Sequence, residues 1–210
     1  MDENFKILLP QIVELFMRYG IRSMTMDDIS RHLKISKKTL YQYVDDKNDL
    51  VVKVFQSVRF EDECEVKKVI TAEQNAIDQM YEIVHMVSGK LQGIHPSIFY
   101  DLEKYHADAW RIFTDYKYTF IHQCISDNIK KGIKEGFYRK DLAIDIVVKI
   151  YLNNIDSLFN NEAHPIKDFT PYKAYLELFR YHIHGIASEK GLEYLTKKLK
   201  KESAKTELKK

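Results

Sequence analysis

An all-α fold is what this 210-residue sequence predicts, and three observations carry the expectation. Gly and Pro number 7 and 4, about half of average usage, too little turn punctuation for strands that would need a turn every ten residues or so. Apolar residues recur at the spacing of amphipathic helices in one segment after another. Cap residues stand at the joints, with Ser, Thr or Asp before a segment and Gly after it. Sandwiches, barrels and glycine-rich phosphate loops are disfavoured from the outset. Hydrophobic content of 45% and charged content of 30% suit a folded globular chain rather than a disordered one.

Leu8, Ile12, Leu15, Phe16 and Tyr19 share one face of a first helix over residues 5–19 that Gly20 ends. Pro10 falls inside the pattern, so that helix either begins near it or kinks there. Thr25 with Asp28 resembles a capping box, so a short second helix starts at Met26 with Ile29 and Leu33 inward. After a break at Lys34-Ile35-Ser36, Ser36 caps a third helix from Lys37 to Val44, with Leu40 and Val44 inward. Asp45 or Asp46 caps a fourth at Lys47 that runs on towards residue 70. Thr71 with Gln74 opens a helix through Met80 and Val87, closed near Gly89 or Gly93. Beyond His95-Pro96, residues 97–135 carry one short helix and one long one, the latter from Trp110 to Lys134 and closed by Gly136. Asp141 starts the next. Residues 161–171 form a loop, Pro171 opens a helix reaching about Gly185, and a piece around Leu192, Leu195 and Leu199 leads into a lysine-rich tail.

Lys plus Arg at 33 against Asp plus Glu at 31 leaves a net charge of +2, but the distribution is uneven. Between Ile29 and Val44 stand Arg31, Lys34, Lys37 and Lys38 without any Asp or Glu. Two short helices joined by a tight turn and fronted by a third have the size of a helix-turn-helix, whose second helix enters the major groove. The cations, with hydroxyls of Thr25, Ser36, Thr39, Tyr41 and Tyr43 beside them, offer counterion release and hydrogen bonds to phosphate. A bare run of positive charge is ordinarily a solvated face; joined to these helix lengths and caps it points to DNA.

The string TMDDISRHLKISKKTLYQYVDDKNDLV, preceded by a helix ending LFMRYG, resembles the DNA-binding domain of the tetracycline-repressor (TetR/AcrR) family of transcription regulators over about the first fifty-five residues. The resemblance implies an N-terminal three-helix helix-turn-helix domain and a C-terminal helical bundle that binds a small molecule and dimerises, the whole acting as a homodimeric repressor on a palindromic operator. It places the recognition helix at Lys37–Val44, with Lys37, Lys38, Thr39 and Gln42 suited to base edges or nearby phosphates. Tyr41, Tyr43 and Lys47 match positions that touch phosphate. Thr25, Arg31 and Ser36 complete the expected DNA-binding set. Lys34 stands where the family has a glycine in a left-handed turn, Val44 replaces a Phe, and Pro10 is atypical. The expected domains are residues 1–50 for DNA, 51–200 for effector and dimer contacts, and 201–210 as a basic tail.

Residues 99–120 hold eight aromatics. Phe99, Tyr100, Trp110 and Phe113 are candidates to line a pocket for a flat or apolar effector, joined by Tyr151 and by the i, i+4 pair Tyr81 and His85; each ring taken alone is as well explained as core. Tyr151, Ile155, Leu158, Tyr175 and Phe179 are candidates for the dimer face, against an even alternative of intramolecular core. No His-x-x-x-His pair occurs, and Cys64 and Cys124 stand apart, so neither a metal nor a disulfide is expected. Catalytic residues and cofactors are not expected either: no G-x-S-x-G elbow or phosphate loop occurs, and Asp101 and Glu103 read as exposed helix charges. The acidic start MDENF has no apolar h-region and no stretch of eighteen apolar residues follows, so the expectation is a cytoplasmic chain without a membrane span. The partners expected are an operator duplex, a second copy and an unidentified effector; the rival reading is a helical partner-binding protein that lacks DNA readout, suggested by Lys34 and Pro10.

Overall fold

The computed structural model describes residues 2–70, 73–158 and 170–207, and among them the chain is all helix but for one antiparallel bridge between Tyr138 and Ala187. Helix α1 spans Glu3–Tyr19 without a break. Pro10 lies on its exposed side, where the carbonyl that loses its donor faces water. Helices α2 (Met26–His32) and α3 (Lys37–Leu40) follow, then α4 (Lys47–Ile70). The third helix is shorter than the Lys37–Val44 expected. From Gln42 onward the bonds tighten to i→i−3, with Gln42 N donating to Thr39 O and Tyr43 N to Leu40 O, both at 3.1 Å. Aromatic and β-branched residues are poor helix continuers there.

Helix α5 runs Ala76–Leu91, later than the Thr71 signature suggests. Thr71 lies outside the described residues, and the working cap is Asn75, whose Oδ1 accepts from Asp78 N at 3.0 Å. Helix α6 is Ile98–Tyr105. The long helix begins at α7 (Ala107–Tyr116), earlier than Trp110, passes through a π turn at Lys117–Ile121, and ends as α8 (His122–Glu135) with Gly136 left-handed at φ 77°. Helix α9 is Ile144–Ser157, two residues later than an Asp141 cap requires, and its start carries no side-chain cap. The expected loop lies outside the described residues from 161 to 169. Thr170 then caps α10 (Pro171–Ile186) with Pro171 in the first turn. Helix α11 (Glu189–Glu207) carries the lysine-rich segment as helix rather than as a frayed end, in keeping with its Lys, Glu, Ala and Leu content. Among the described residues no helix is long and apolar enough to cross a membrane.

Two hydrophobic clusters organise these helices. The first gathers Ile12, Phe16, Ile29, Leu40, Leu50 and Val54 from α1–α4 and reaches Ile98 and Leu102 on α6 and Ala109 on α7. The second gathers Ile77 and Val84 of α5, Ile129 of α8, Leu152 of α9, Ile183 of α10 and Leu195 of α11. Gly132 allows the closest approach within it: a Cβ there would stand 2.1 Å from the ring of Tyr138. Tyr138 is buried, and its hydroxyl donates to Asn128 Oδ1 at 3.0 Å while Asn128 Nδ2 donates to Ala76 O at 2.9 Å. A polar chain inside the core is thus satisfied end to end.

Candidate nucleic-acid interface and effector cavity

The turn between α2 and α3 is a complete Schellman ending. Lys34 N donates to Arg31 O at 3.2 Å and Ile35 N to Ser30 O at 3.0 Å. Lys34 itself adopts φ 56°, and is the one positive-φ residue other than Gly among the described residues. The left-handed geometry that glycine usually supplies is therefore made here by a lysine, whose side chain is exposed. Thr25 caps α2: its Oγ1 accepts from Asp28 N at 3.1 Å, and Asp28 Oδ2 accepts from Thr25 N at 3.1 Å, which with the Thr25 hydroxyl holds the Asp28 carboxyl below the usual range. Ser36 caps α3, accepting from Thr39 N at 2.9 Å.

These caps fix the presentation of the basic face. Arg31, Lys37, Lys38, Tyr41 and Gln42 are exposed, as are Thr25 and Ser36, and Thr39 is half-buried. Lys37 pairs with Asp27 at 3.0 Å, which raises its pKa, and Arg31 reaches Asp28 at 3.7 Å. Both are surface pairs that phosphate can replace at small cost. Two of the expected residues are placed differently. Tyr43 is half-buried with its ring stacked on Phe5 at 5.2 Å, so it supports α1 as well as facing the groove side. Lys47 is half-buried too. Burial lowers its pKa against the opposing pull of Asp101.

Asp101 corrects the reading of an exposed helix charge. It is 3% exposed, and its Oδ2 accepts from Ser97 Oγ at 2.8 Å and from Arg22 N at 3.4 Å. Nearby, the Arg22 guanidinium donates to Tyr105 Oη at 3.0 Å, and His95 N donates to Met17 O at 2.6 Å. His106 Nδ1 stands 2.7 Å from Asn48 Oδ1, and since a carbonyl oxygen only accepts, Nδ1 carries the proton. Burial lowers the His106 pKa, with Lys47 acting in the same sense. A ring of polar bonds therefore fastens α6 and the start of α7 to the α1–α2 and α4 ends of the head. Sequence reading missed it because the bonds from Arg22, Met17 and Asn48 join residues far apart along the chain.

A cavity of about 460 Å³ lies behind this junction, within the range of small-molecule sites. Of the expected lining residues, Phe99, Phe113 and Tyr151 face it. The others do not. Helix α5 turns Met80, Ile83, Met86 and Val87 inward, which leaves Tyr81 and His85 in contact on another face, their rings 4.2 Å apart and tilted, with Tyr81 edge-on to Phe179. Tyr100 is exposed beside Lys104 and Tyr105, and Trp110 stacks on Phe113 at 5.4 Å while packing against the first cluster. Residues that the sequence did not single out complete the wall: Val13 and Met17 of α1, Ile98 of α6, and the charged Arg59, Asp62, Lys90 and Lys117. Cys124 also lines it, its thiol pushed up to about 11 by burial, so it is unreactive at neutral pH.

All five residues expected at the dimer face, Tyr151, Ile155, Leu158, Tyr175 and Phe179, are buried within the single chain and belong to its second cluster. The intramolecular alternative holds because α9 and α10 turn these positions towards α5 and α8. What α9 and α10 leave exposed is Ile146, Ile150 and Tyr181, at 62%, 53% and 77%. Ile150 and Tyr181 line a groove that includes Leu142, Val147, Leu178, Arg180 and His182.

Residues 8–54 match the family model described as bacterial regulatory proteins, tetR family. An HTH-type transcriptional regulator of Bacillus subtilis, YvaF, is 24% identical over 165 residues, which cover 77% of this chain and 84% of that one. The fold is shared with a transcriptional regulator of Saccharomonospora viridis solved in complex with choline, at a TM-score of 0.67 and 18% identity over 90% of this chain and 100% of the other. It is shared also with FadR of Bacillus subtilis in complex with stearoyl-CoA, at a TM-score of 0.66 and 13% identity over 87% and 99%. Residues 8–54 thus carry the N-terminal domain of the tetR family of bacterial regulatory proteins, and the fold as a whole is the one these regulators share.

Proposed function

We propose that the chain is a ligand-responsive repressor that binds a palindromic operator as a homodimer in the cytoplasm. Its head is residues 1–50, its effector and dimerisation domain residues 51–200, with 201–210 as a basic end. The observation that carries the reading is the basic stretch from Ile29 to Val44, which contains no Asp or Glu of its own and is held by two intact helix caps and a Schellman turn, with its cations and Gln42 in solvent. That geometry suits phosphate contacts from Arg31, Lys37, Lys38 and Tyr41 and base contacts from α3. Lys34 and Pro10, which suggested a partner-binding protein without DNA readout, both sit in regular local structure, so they no longer favour that alternative.

Ligand response follows from shared walls. Val13 and Met17 belong to the head and yet line the cavity, while α6 lines it with Ile98 and Phe99 and also carries Asp101, which bonds the head. A ligand that favours one separation of these walls favours one head orientation, and DNA must bias ligand affinity by the same factor. The exposed Ile146, Ile150 and Tyr181 supply an apolar face for a second copy, and a two-fold pair of heads matches a palindrome. Gel-shift titration of Tyr41→Ala and Lys38→Ala against wild type tests the reading. Both variants should bind DNA more weakly across sequences, and Lys38→Ala, which leaves one phosphate without its cation, should lower the salt slope by about 0.9. Wild-type affinity in both variants, with an unchanged slope in Lys38→Ala, would overturn it.

A further inference from the structure

Resting on the reading of the cavity as the effector site, we propose that its occupant is an apolar molecule with one acidic group, of the alkyl carboxylate class, and that Lys117 takes the acidic group. Fold-mates bind choline in one case and stearoyl-CoA in the other. Ligand charge is therefore not set by the fold and must be read from this chain's own residues.

Besides Lys117, the charged residues on the wall are Arg59, Glu61, Asp62 and Lys90. Two of the three cations are answered within reach of water. Arg59 Nε stands 2.9 Å from Glu63, and Lys90 lies 2.5 Å from both Asp62 and Glu65; their side chains keep 39% and 40% exposure, so water reaches them as well. Lys117 is answered by a carboxylate as well, but it differs in exposure. Its side chain is 3% exposed, and its one carboxylate partner among the described residues, Asp156, is itself 41% exposed. The Tyr118 ring also lies beside it, 4.3 Å from ammonium to centroid. An ammonium carries three donors, and in a dry site each unused donor favours an incoming acceptor, above all an anionic one.

Lys117 opens the π turn, and that turn sets Lys117, Phe120 and Ile121 together on the cavity wall. Single π turns within α-helices recur at functional sites because the extra residue redirects the side chains that follow. Most of the cavity wall is apolar, with Val58, Ile83, Val87 and Phe113 among its residues. A hydrocarbon body is buried there and a second charge is not served. A cationic ligand is opposed by Lys117 and a neutral one leaves its donor unused.

Calorimetric titration of the DNA-free full-length chain with dodecanoate and with dodecanol tests the proposal. Wild type should bind dodecanoate at least tenfold tighter than dodecanol. Lys117→Met should bring the two within threefold of each other while leaving dodecanol affinity within threefold of wild type. Asp156→Asn removes the competing carboxylate and should tighten dodecanoate binding severalfold, whereas a purely structural ion pair would make that variant bind more weakly. Equal affinity of the two probes for wild type, equal loss of both in Lys117→Met, weaker dodecanoate binding in Asp156→Asn, or no binding of either probe overturns the proposal. Operator binding is read separately by gel shift without ligand, so failure here leaves the DNA reading standing, and failure there leaves the carboxylate result intact.

Discussion

Replacing Lys34 by Gly should stabilise the protein while weakening its hold on DNA. Lys34 sits at φ 56° in the position after α2 where the Schellman bonds of Lys34 and Ile35 require a left-handed residue. That conformation costs an L-residue with a Cβ roughly 1–2 kcal/mol, and Gly costs roughly 0.5–1 kcal/mol through its greater freedom in the unfolded chain. The difference leaves a net stabilisation of about 0.5–1 kcal/mol, which for a chain of this length raises the melting temperature by about 1–4 °C. The lysine is exposed on the basic face, so its removal should also lower the salt slope of DNA binding by up to about 0.9. Lys34→Ala separates the two effects: it removes the charge, keeps the Cβ, and should lower the slope without the thermal gain. Thermal unfolding by circular dichroism with a gel-shift salt series reads both. A Lys34→Gly variant that melts no higher than Lys34→Ala would refute the reasoning about the turn.

Three further outcomes follow from the geometry. Ile150→Asp places a carboxylate on the exposed face of α9 and should turn a dimer into a monomer in sedimentation velocity, with the helical circular dichroism signal unchanged because Ile150 is 53% exposed in the single chain. Gly132→Ala drives a methyl group into the Tyr138 ring and should cost about 1–3 kcal/mol in urea unfolding, whereas Gly89→Ala, with nothing within 4 Å of the new carbon, should stabilise by about 0.5–1 kcal/mol. Burial pushes His182 from its ordinary 6.5 down to about 4. Its unfolded form therefore binds a proton first, so the stability it supports is complete above about pH 6.5 and is lost as pH falls towards 4. Urea midpoints taken across that window should fall less steeply in His182→Leu than in wild type, and parallel curves would show that His182 is not buried in its neutral form.

The head was legible in the sequence because its determinants are local. The Thr25–Asp28 box, the Ser36 cap and the left-handed need at Lys34 each act within six residues, and all are present as bonds. The length of α3 was overestimated because periodicity cannot see the tightening from Gln42 to Tyr43. The cavity was half legible. Aromatic density led to Phe99 and Phe113, which face the cavity, but which face of α5 turns inward depends on packing against α8 and α10, and Tyr81 and His85 lie off it. Apolar positions on α9 and α10 announce burial without saying against what; Tyr151 and Phe179 bury inside the chain. Lys117 gave one signal, a cation within the aromatic run Tyr116-Lys117-Tyr118, and its significance rests on a π turn that the sequence does not announce. Asp101 gave none, since its partner Arg22 meets it only once α6 docks on the head.

Selection of genomic fragments on the purified full-length chain tests the central claim most directly. The account predicts enrichment of a palindromic site whose half-sites lie on one face of the duplex, about 34–36 Å or a multiple apart from centre to centre, with the preferred bases within each half-site changed by Gln42→Ala. Recovery of fragments with no common sequence, retained equally by wild type and Gln42→Ala, would contradict it.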